Sequence, residues 1–431
     1  MKRRQGGTAV KRYRNWAPPG VMRERFTASD FVSPRADGRF ESSLGFLMHA
    51  IRGIKPKLSF DQVHTREEFY VWRQAVRDKL RELLRMTDRL TVEFKLLQEE
   101  KRDGYLLQKY EFYPEEGLAV PILMLIPDSA AASGEPVPAV ICNPGSGAGL
   151  WSLAGEPDDN FNRYPLRNRQ AWWYCKAGMI GVAVENPATA WNSVEGMEYG
   201  LAQTKFFQLL PLAGRTYHGF ITEQRLMIVE FLKRHPLVDA RRIAVSGLSL
   251  GCGGVLYTAL MSDDVAAAVY NDFVCSGVQR VLSTTEIAGG PNLAGGGLPG
   301  ALEWFDIQPD LQAALAPLPL ILSEGGPWIG HVEKIVRAYE LAGARDKLEV
   351  HYYDKYADPA GRKHETCDLR KTTGLDPMQY LEIANVDAEQ HSFHAEIDVP
   401  FLCRHFFGSD YECSGELKRS FEEAIREKSA R

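Results

Sequence analysis

The 431-residue sequence lacks several features that would place it in a specialised class. It has no apolar run near the length of about 20 residues that a membrane-spanning helix needs, so no membrane partner is expected. It has no large excess of one charge. Lys and Arg number 51 against 56 Asp and Glu, a net charge of -5, which gives no reason to expect nucleic acid as a partner. Cysteine is scarce: there are seven, an odd number without a C-x-x-C pair. That excludes a dense disulfide framework and points to free, mostly buried thiols in a reduced cytoplasm. No internal repeat is present. The start is basic, with Lys2, Arg3, Arg4, Lys11, Arg12 and Arg14. Polar residues, Gly and Pro follow where a secretory signal would carry its apolar segment, so the expected location is cytoplasmic.

What is there is ordinary globular material, 45% hydrophobic and 25% charged, enough for a large core. Residues 1–64 read as a partly irregular arm. Residues 65–90 read as a helix packing on the core, 91–410 as one α/β domain and 411–431 as a helical tail. The helix is expected over 65–86, where Phe69, Trp72, Val76, Leu80, Leu83 and Leu84 recur at three- and four-residue steps. Thr65 with Glu68 has capping-box spacing. Alternation at 92–96 and 108–112, followed by the apolar run 120–126, predicts antiparallel strands. From 139 onward strands alternate with helices: strands at 139–142, 180–184, 243–245, 265–270, 318–322 and 348–353, helices at 170–177, 220–234, 255–261, 332–342 and 399–407. Such alternation predicts a mostly parallel sheet covered on both faces, with ligands bound beyond the carboxyl ends of its strands.

The most informative stretch lies at such an end. An apolar run, Ile243-Ala244-Val245, leads into Gly247-Leu248-Ser249-Leu250-Gly251, and an apolar helix follows. This reads as a nucleophile elbow. A serine on a tight strand-to-helix bend needs glycine at both flanks, because side chains there would collide with the neighbouring strand and helix. The helix that starts at the bend aims free N–H groups at the developing negative charge. Cys252 reads as a packing residue rather than a second nucleophile.

A serine hydroxyl needs a base, and the base needs an orienting acid. In chain order the acid and histidine should follow Ser249. His391, in Gln390-His391-Ser392-Phe393-His394 just before the last helix of the domain, is the favoured base, with His364 as runner-up and His394 as a pocket residue. Two strand ends offer an acid, Glu324 after the strand 318–322 and Asp272 after the strand 265–270, and both stay open. The oxyanion should be held by the N–H of Leu250 and by a second donor from Asn143-Pro144-Gly145-Ser146-Gly147. Proline has no N–H, which leaves Gly145 or Ser146.

These residues resemble the α/β-hydrolase superfamily, and within it the acetyl xylan esterase-like and dienelactone hydrolase-like branch, over about residues 65–410. The marks are Val120-Pro121-Ile122-Leu123-Met124-Leu125-Ile126-Pro127, Pro138-Ala139-Val140-Ile141-Cys142-Asn143-Pro144-Gly145, the elbow, and His391-Ser392-Phe393. The resemblance implies an α/β-hydrolase fold: a mostly parallel central sheet with antiparallel N-terminal strands, helices on both faces and, here, a helical N-terminal extension. It implies Ser249 as nucleophile and His391 as base. The chain departs from the family where the usual His-Gly oxyanion sequence reads Asn143-Pro144-Gly145, and where the usual Asp-Pro after the penultimate strand reads Gly326-Pro327. The segment before His391 is also longer than in the family.

The expected activity is therefore hydrolysis of a carboxylic ester through an acyl-enzyme, on a small-molecule or oligosaccharide substrate such as an acetylated sugar. No metal or organic cofactor is implied, and a homo-oligomer is left open. Trp151, Trp172, Trp173, Trp191 and Trp328 are candidates to stack on a sugar. The stretch 289–300 is rich in glycine and reads as a flap. Two rival readings share the fold: a peptidase or carbon–carbon bond hydrolase, and a binding protein that kept the scaffold without catalysis.

Overall fold

The computed structural model describes residues 33, 35–40, 42–87, 90–156, 168–190, 195, 197, 199–275, 298–326, 329–362 and 377–429. His364, Trp191, Trp328 and most of the glycine-rich stretch 289–300 lie outside them. The backbone divides into two compact units, Met1–Gly53 and Ile54–Arg431. The described part of the first holds the helix Ser43–Arg52, whose N-cap Ser42 accepts from the Gly45 N–H.

The second unit is built on nine strands: β1 Phe94–Arg102, β2 Tyr105–Glu115, β3 Leu118–Pro127, β4 Val137–Asn143, β5 Ile180–Val184, β6 Val238–Leu248, β7 Val265–Asn271, β8 Leu320–Leu322 and β9 Leu348–Val350. Their order across the sheet is β1-β2-β3-β5-β4-β6-β7-β8-β9. β1, β2 and β3 pair antiparallel, and β3 pairs antiparallel with β5. Every pair from β5–β4 to β8–β9 is parallel. The change of period read from the sequence thus marks the change of pairing.

The strand period of two explains why continuous apolar runs were needed. In β3, Ile122, Met124 and Ile126 enter the hydrophobic cluster on one face, while Leu123 and Leu125 enter the cluster on the other. Ala139 and Ile141 of β4 divide from Val140 and Cys142 in the same way. The helix Arg66–Leu84 buries Phe69, Trp72, Val76, Leu80 and Leu84, and both halves of the Thr65–Glu68 capping box are formed. All six described cysteines are buried and outside any disulfide.

Some element boundaries differ from expectation. The helix expected at 220–234 runs Tyr217–Leu232, and it is buried on nearly all sides rather than amphipathic. The elbow strand is longer, and the last strand shorter, than the apolar residues suggested. The final helix of the domain begins at Ala395 and carries Pro400 inside it. A further helix, Tyr199–Leu212, had no sequence counterpart; Pro211 and apolar residues on more than one face, including exposed Leu201, Leu209 and Leu212, hide its period. The helix Gly415–Ser429 forms the tail, with Phe421 packed 5.2 Å from Trp173. No helix among the described residues is long and apolar enough to cross a membrane.

Candidate active site

β6 ends at Leu248, and Ser249 turns the chain into the helix Gly251–Met261. Ser249 has φ +52°, in the left-handed region that costs a non-glycine residue energy. The turn is fastened by the Ser249 N–H donating to the Asn271 carbonyl at 2.9 Å and the Cys252 N–H donating to the Ser249 carbonyl at 2.9 Å. The flanking glycines are sterically required. A Cβ at Gly247 would lie 2.7 Å from the Gly251 backbone, and one at Gly251 would lie 2.3 Å from the Asn143 carbonyl oxygen. Ser249 itself is half-buried. Cys252 is buried, its thiol donates to the Gly247 carbonyl at 3.1 Å, and burial pushes its pKa well up, consistent with a packing role.

Glu324 follows β8 and is fully buried. His391 Nδ1 lies 3.0 Å from its Oε1 and 2.9 Å from its Oε2. Oε1 also accepts from the Tyr353 hydroxyl at 2.8 Å and from the Asn271 side-chain amide at 2.9 Å. Burial raises the carboxyl's pKa, but the charge and hydrogen bond of His391, then of His394, outweigh it and hold Glu324 below the usual carboxylate range. His391 is therefore oriented through Nδ1. His394 is held differently. Its Nε2 lies 3.5 Å from Glu324 Oε1, its Nδ1 3.2 Å from Glu396 Oε1, and its N–H donates to Asn271 Oδ1 at 2.9 Å.

Asp272 is buried beside Asn271. One donor atom each from Asp272, Glu324 and His391 falls within 4.8 Å of the others. Both carboxylates thus reach the histidine's neighbourhood, and both oxygens of Glu324 are placed to accept from Nδ1.

The loop after β4 lies against the elbow. The Gly147 N–H donates to Thr189 O at 2.9 Å and the Ala148 N–H to Gly145 O at 3.2 Å. Among the described residues, the N–H groups of Gly145, Ser146 and Leu250 donate to no protein carbonyl. These are the three donors that the sequence singles out.

Sequence reasoning gave no role to Asn271 or Tyr353, which complete the Glu324 shell. Asn271 carried a signal, a polar residue closing an apolar strand; Tyr353 lies just past β9 and carried none. Of the tryptophans, Trp173 is corrected: it is buried against Phe421 and Trp172 and offers no face to a sugar. The segment before His391 packs inward, with Ala384 and Val386 against Phe273, Cys275, Tyr353 and Tyr356.

Two comparisons bear on this arrangement. The sequence profile of the Abhydrolase family matches residues 24–404. The chain belongs to that family. This abhydrolase is also similar to a solved structure from Bacteroides fragilis NCTC 9343, a protein provisionally named an acetyl xylan esterase. The two share 31% identity and a TM-score of 0.77, over 88% of this chain and 100% of the other. The glucuronoyl esterase of Solibacter usitatus shares the fold, at 12% identity and a TM-score of 0.51 over 80% of this chain and 94% of that one. No curated protein sequence matches significantly.

Proposed function

We propose that this abhydrolase is a serine-dependent carboxylic ester hydrolase acting on an acylated carbohydrate. The observation that carries the reading is the pairing of His391 Nδ1 with both oxygens of buried Glu324, a carboxylate that Asn271 ties to the strained Ser249 by donating to Oε1 and accepting from the Ser249 N–H. Ser249 Oγ attacks the ester carbonyl carbon as its proton passes to His391 Nε2. The carbonyl oxygen takes the negative charge and is held by the Leu250 N–H and that of Gly145 or Ser146. His391 then protonates the departing sugar oxygen, leaving an acyl group on Ser249. Water, deprotonated by His391, releases the acid. Glu324 stays ionised throughout and stabilises the imidazolium. Similarity to the Bacteroides fragilis protein supports an acetyl ester as substrate.

The experiment is mass spectrometry after treatment with a fluorophosphonate, alongside a panel of acetylated xylo-oligosaccharides, peptides and β-diketones. Modification of Ser249, its loss in Ser249→Ala, and turnover of the acetyl esters are expected. An unmodified Ser249 in folded protein would sink the reading, and turnover confined to peptides or diketones would change the reaction.

A further inference from the structure

Arg225 is the largest fully buried side chain among the described residues, in the middle of the helix Tyr217–Leu232. A buried guanidinium is costly unless its donors are met. Here Nε donates to Asn143 Oδ1 at 2.9 Å, Nη1 to Gln224 Oε1 at 3.5 Å, and Nη2 to Asn186 Oδ1 at 2.7 Å and to the Glu185 carbonyl at 3.1 Å. All four acceptors are neutral oxygens, and the Glu185 carboxylate acts on the charge through space. Burial lowers its pKa to about 10, which keeps it cationic at neutral pH.

Two of its three side-chain amide partners, Asn143 and Asn186, hold the loop that carries Gly145 and Ser146. Asn143 opens that loop, and with Oδ1 taken by Arg225 its Nδ2 is turned to donate to the Ser246 carbonyl at 3.0 Å, on the elbow strand. Asn186, with Oδ1 likewise taken, donates through Nδ2 to the Pro144 carbonyl at 2.9 Å. One rigid fork thus sets the flip of both amides, and through them the placement of the loop's N–H groups against the elbow. We propose that Arg225 is a positioning residue for the oxyanion site, fixing the Asn143–Pro144 turn through two asparagine amides and adding a buried positive charge behind it. This rests on the ester-hydrolase reading above.

The test compares wild type, Arg225→Met, Arg225→Lys and Asn186→Leu in the full chain, on an aryl acetate. A trifluoromethyl ketone serves as a mimic of the tetrahedral state. It adds the Ser249 oxygen to its carbonyl carbon, the hydroxyl proton passing to His391 and the ketone oxygen becoming the oxyanion. Rates are expressed per Ser249 titrated by fluorophosphonate, so that loss of folded protein does not count. Arg225→Met should lower kcat by about 10–100-fold with KM little changed, and weaken the ketone by a similar factor. Arg225→Lys should recover part of the loss, and Asn186→Leu should show the same pattern more weakly. A folded Arg225→Met with wild-type kcat and ketone affinity overturns the proposal. If Arg225→Met does not fold, Asn186→Leu decides it, and wild-type behaviour there overturns it equally. A wild type that neither turns over nor binds the ketone overturns the hydrolase reading itself, an outcome distinct from a silent variant in an active enzyme.

Discussion

Asn271 donates its side-chain amide to Glu324 Oε1 at 2.9 Å, while its own carbonyl accepts from the Ser249 N–H at 2.9 Å. The sheet order explains why one residue can do both. β7 lies between β6, which carries the serine, and β8, which carries the acid. The last residue of the middle strand therefore faces both ends. Its Oδ1 also accepts from His394 N–H, so the histidine loop is fastened to the same point.

Replacing Asn271 with Ala should therefore damage catalysis more than its side-chain volume suggests. A hydrogen bond to a charged group is worth about 1.5–3 kcal/mol, so kcat should fall by about 10–100-fold. Ser249 should still react with fluorophosphonate, more slowly. Steady-state kinetics at fixed pH, with thermal unfolding as a control, would check this; an unchanged kcat would mean that the acid needs no help from β7.

Glu324 and Asp272 are separable by substitution. Both oxygens of Glu324 lie within hydrogen-bonding distance of His391 Nδ1. Glu324→Gln should lower kcat/KM by about 1000-fold or more, since it removes the charge that stabilises the imidazolium and disturbs the tautomer. Asp272→Asn should cost about tenfold or less, since Glu324 still holds Nδ1 in that variant. Equal losses in the two variants, measured on one acetyl ester, would show that the carboxylates act as a pair.

The elbow glycines make a stability statement. A methyl group at Gly251 would meet the Asn143 carbonyl oxygen, and the Asn143 backbone cannot retreat without disturbing its β4–β6 pairing with Gly247. Gly251→Ala should destabilise the fold by about 3 kcal/mol, read as a lower urea midpoint at unchanged slope. A near-neutral effect would mean that the turn is looser than this packing implies.

How much of this was legible depends on the range of the interaction. The elbow was readable because its demands are local: two glycines, a serine and a strand before a helix. The loop after β4 was readable as a turn after an early strand, from Pro144 and the two glycines of Asn143-Pro144-Gly145-Ser146-Gly147. The choice between Glu324 and Asp272 was not readable, because both end neighbouring parallel strands and sequence spacing cannot say which carboxylate meets an imidazole far along the chain. The helix Tyr217–Leu232 shows the same limit. Arg225 breaks its apolar pattern, and only the tertiary structure reveals that the charge is buried against Asn143 and Asn186 rather than turned to water.

Asp398 gives the protein an unusual pH dependence. It lies in the helix that follows the histidine loop, fully buried, with the Ser323 hydroxyl donating to Oδ1. Burial pushes its pKa up to about 7, against the weaker opposing effect of the Ser323 hydrogen bond. A carboxyl raised from about 3.9 in the unfolded chain favours folding in its neutral form. Its contribution is complete below about pH 4 and is lost as pH rises through about 7, a change of up to about 4 kcal/mol. Glu324 acts in the opposite sense. Its lowered pKa adds stability above the unfolded value of about 4.3, and that stability disappears only as pH falls through its native pKa. Between pH 5 and 8 the Asp398 effect should therefore dominate this pair. Asp398→Asn, which keeps an oxygen for Ser323 and cannot ionise, should be more stable than wild type at pH 8 and lose that advantage toward pH 4.5. Urea unfolding of both proteins at several pH values would measure it. Parallel stability curves would mean that Asp398 ionises in the folded protein at its ordinary pKa.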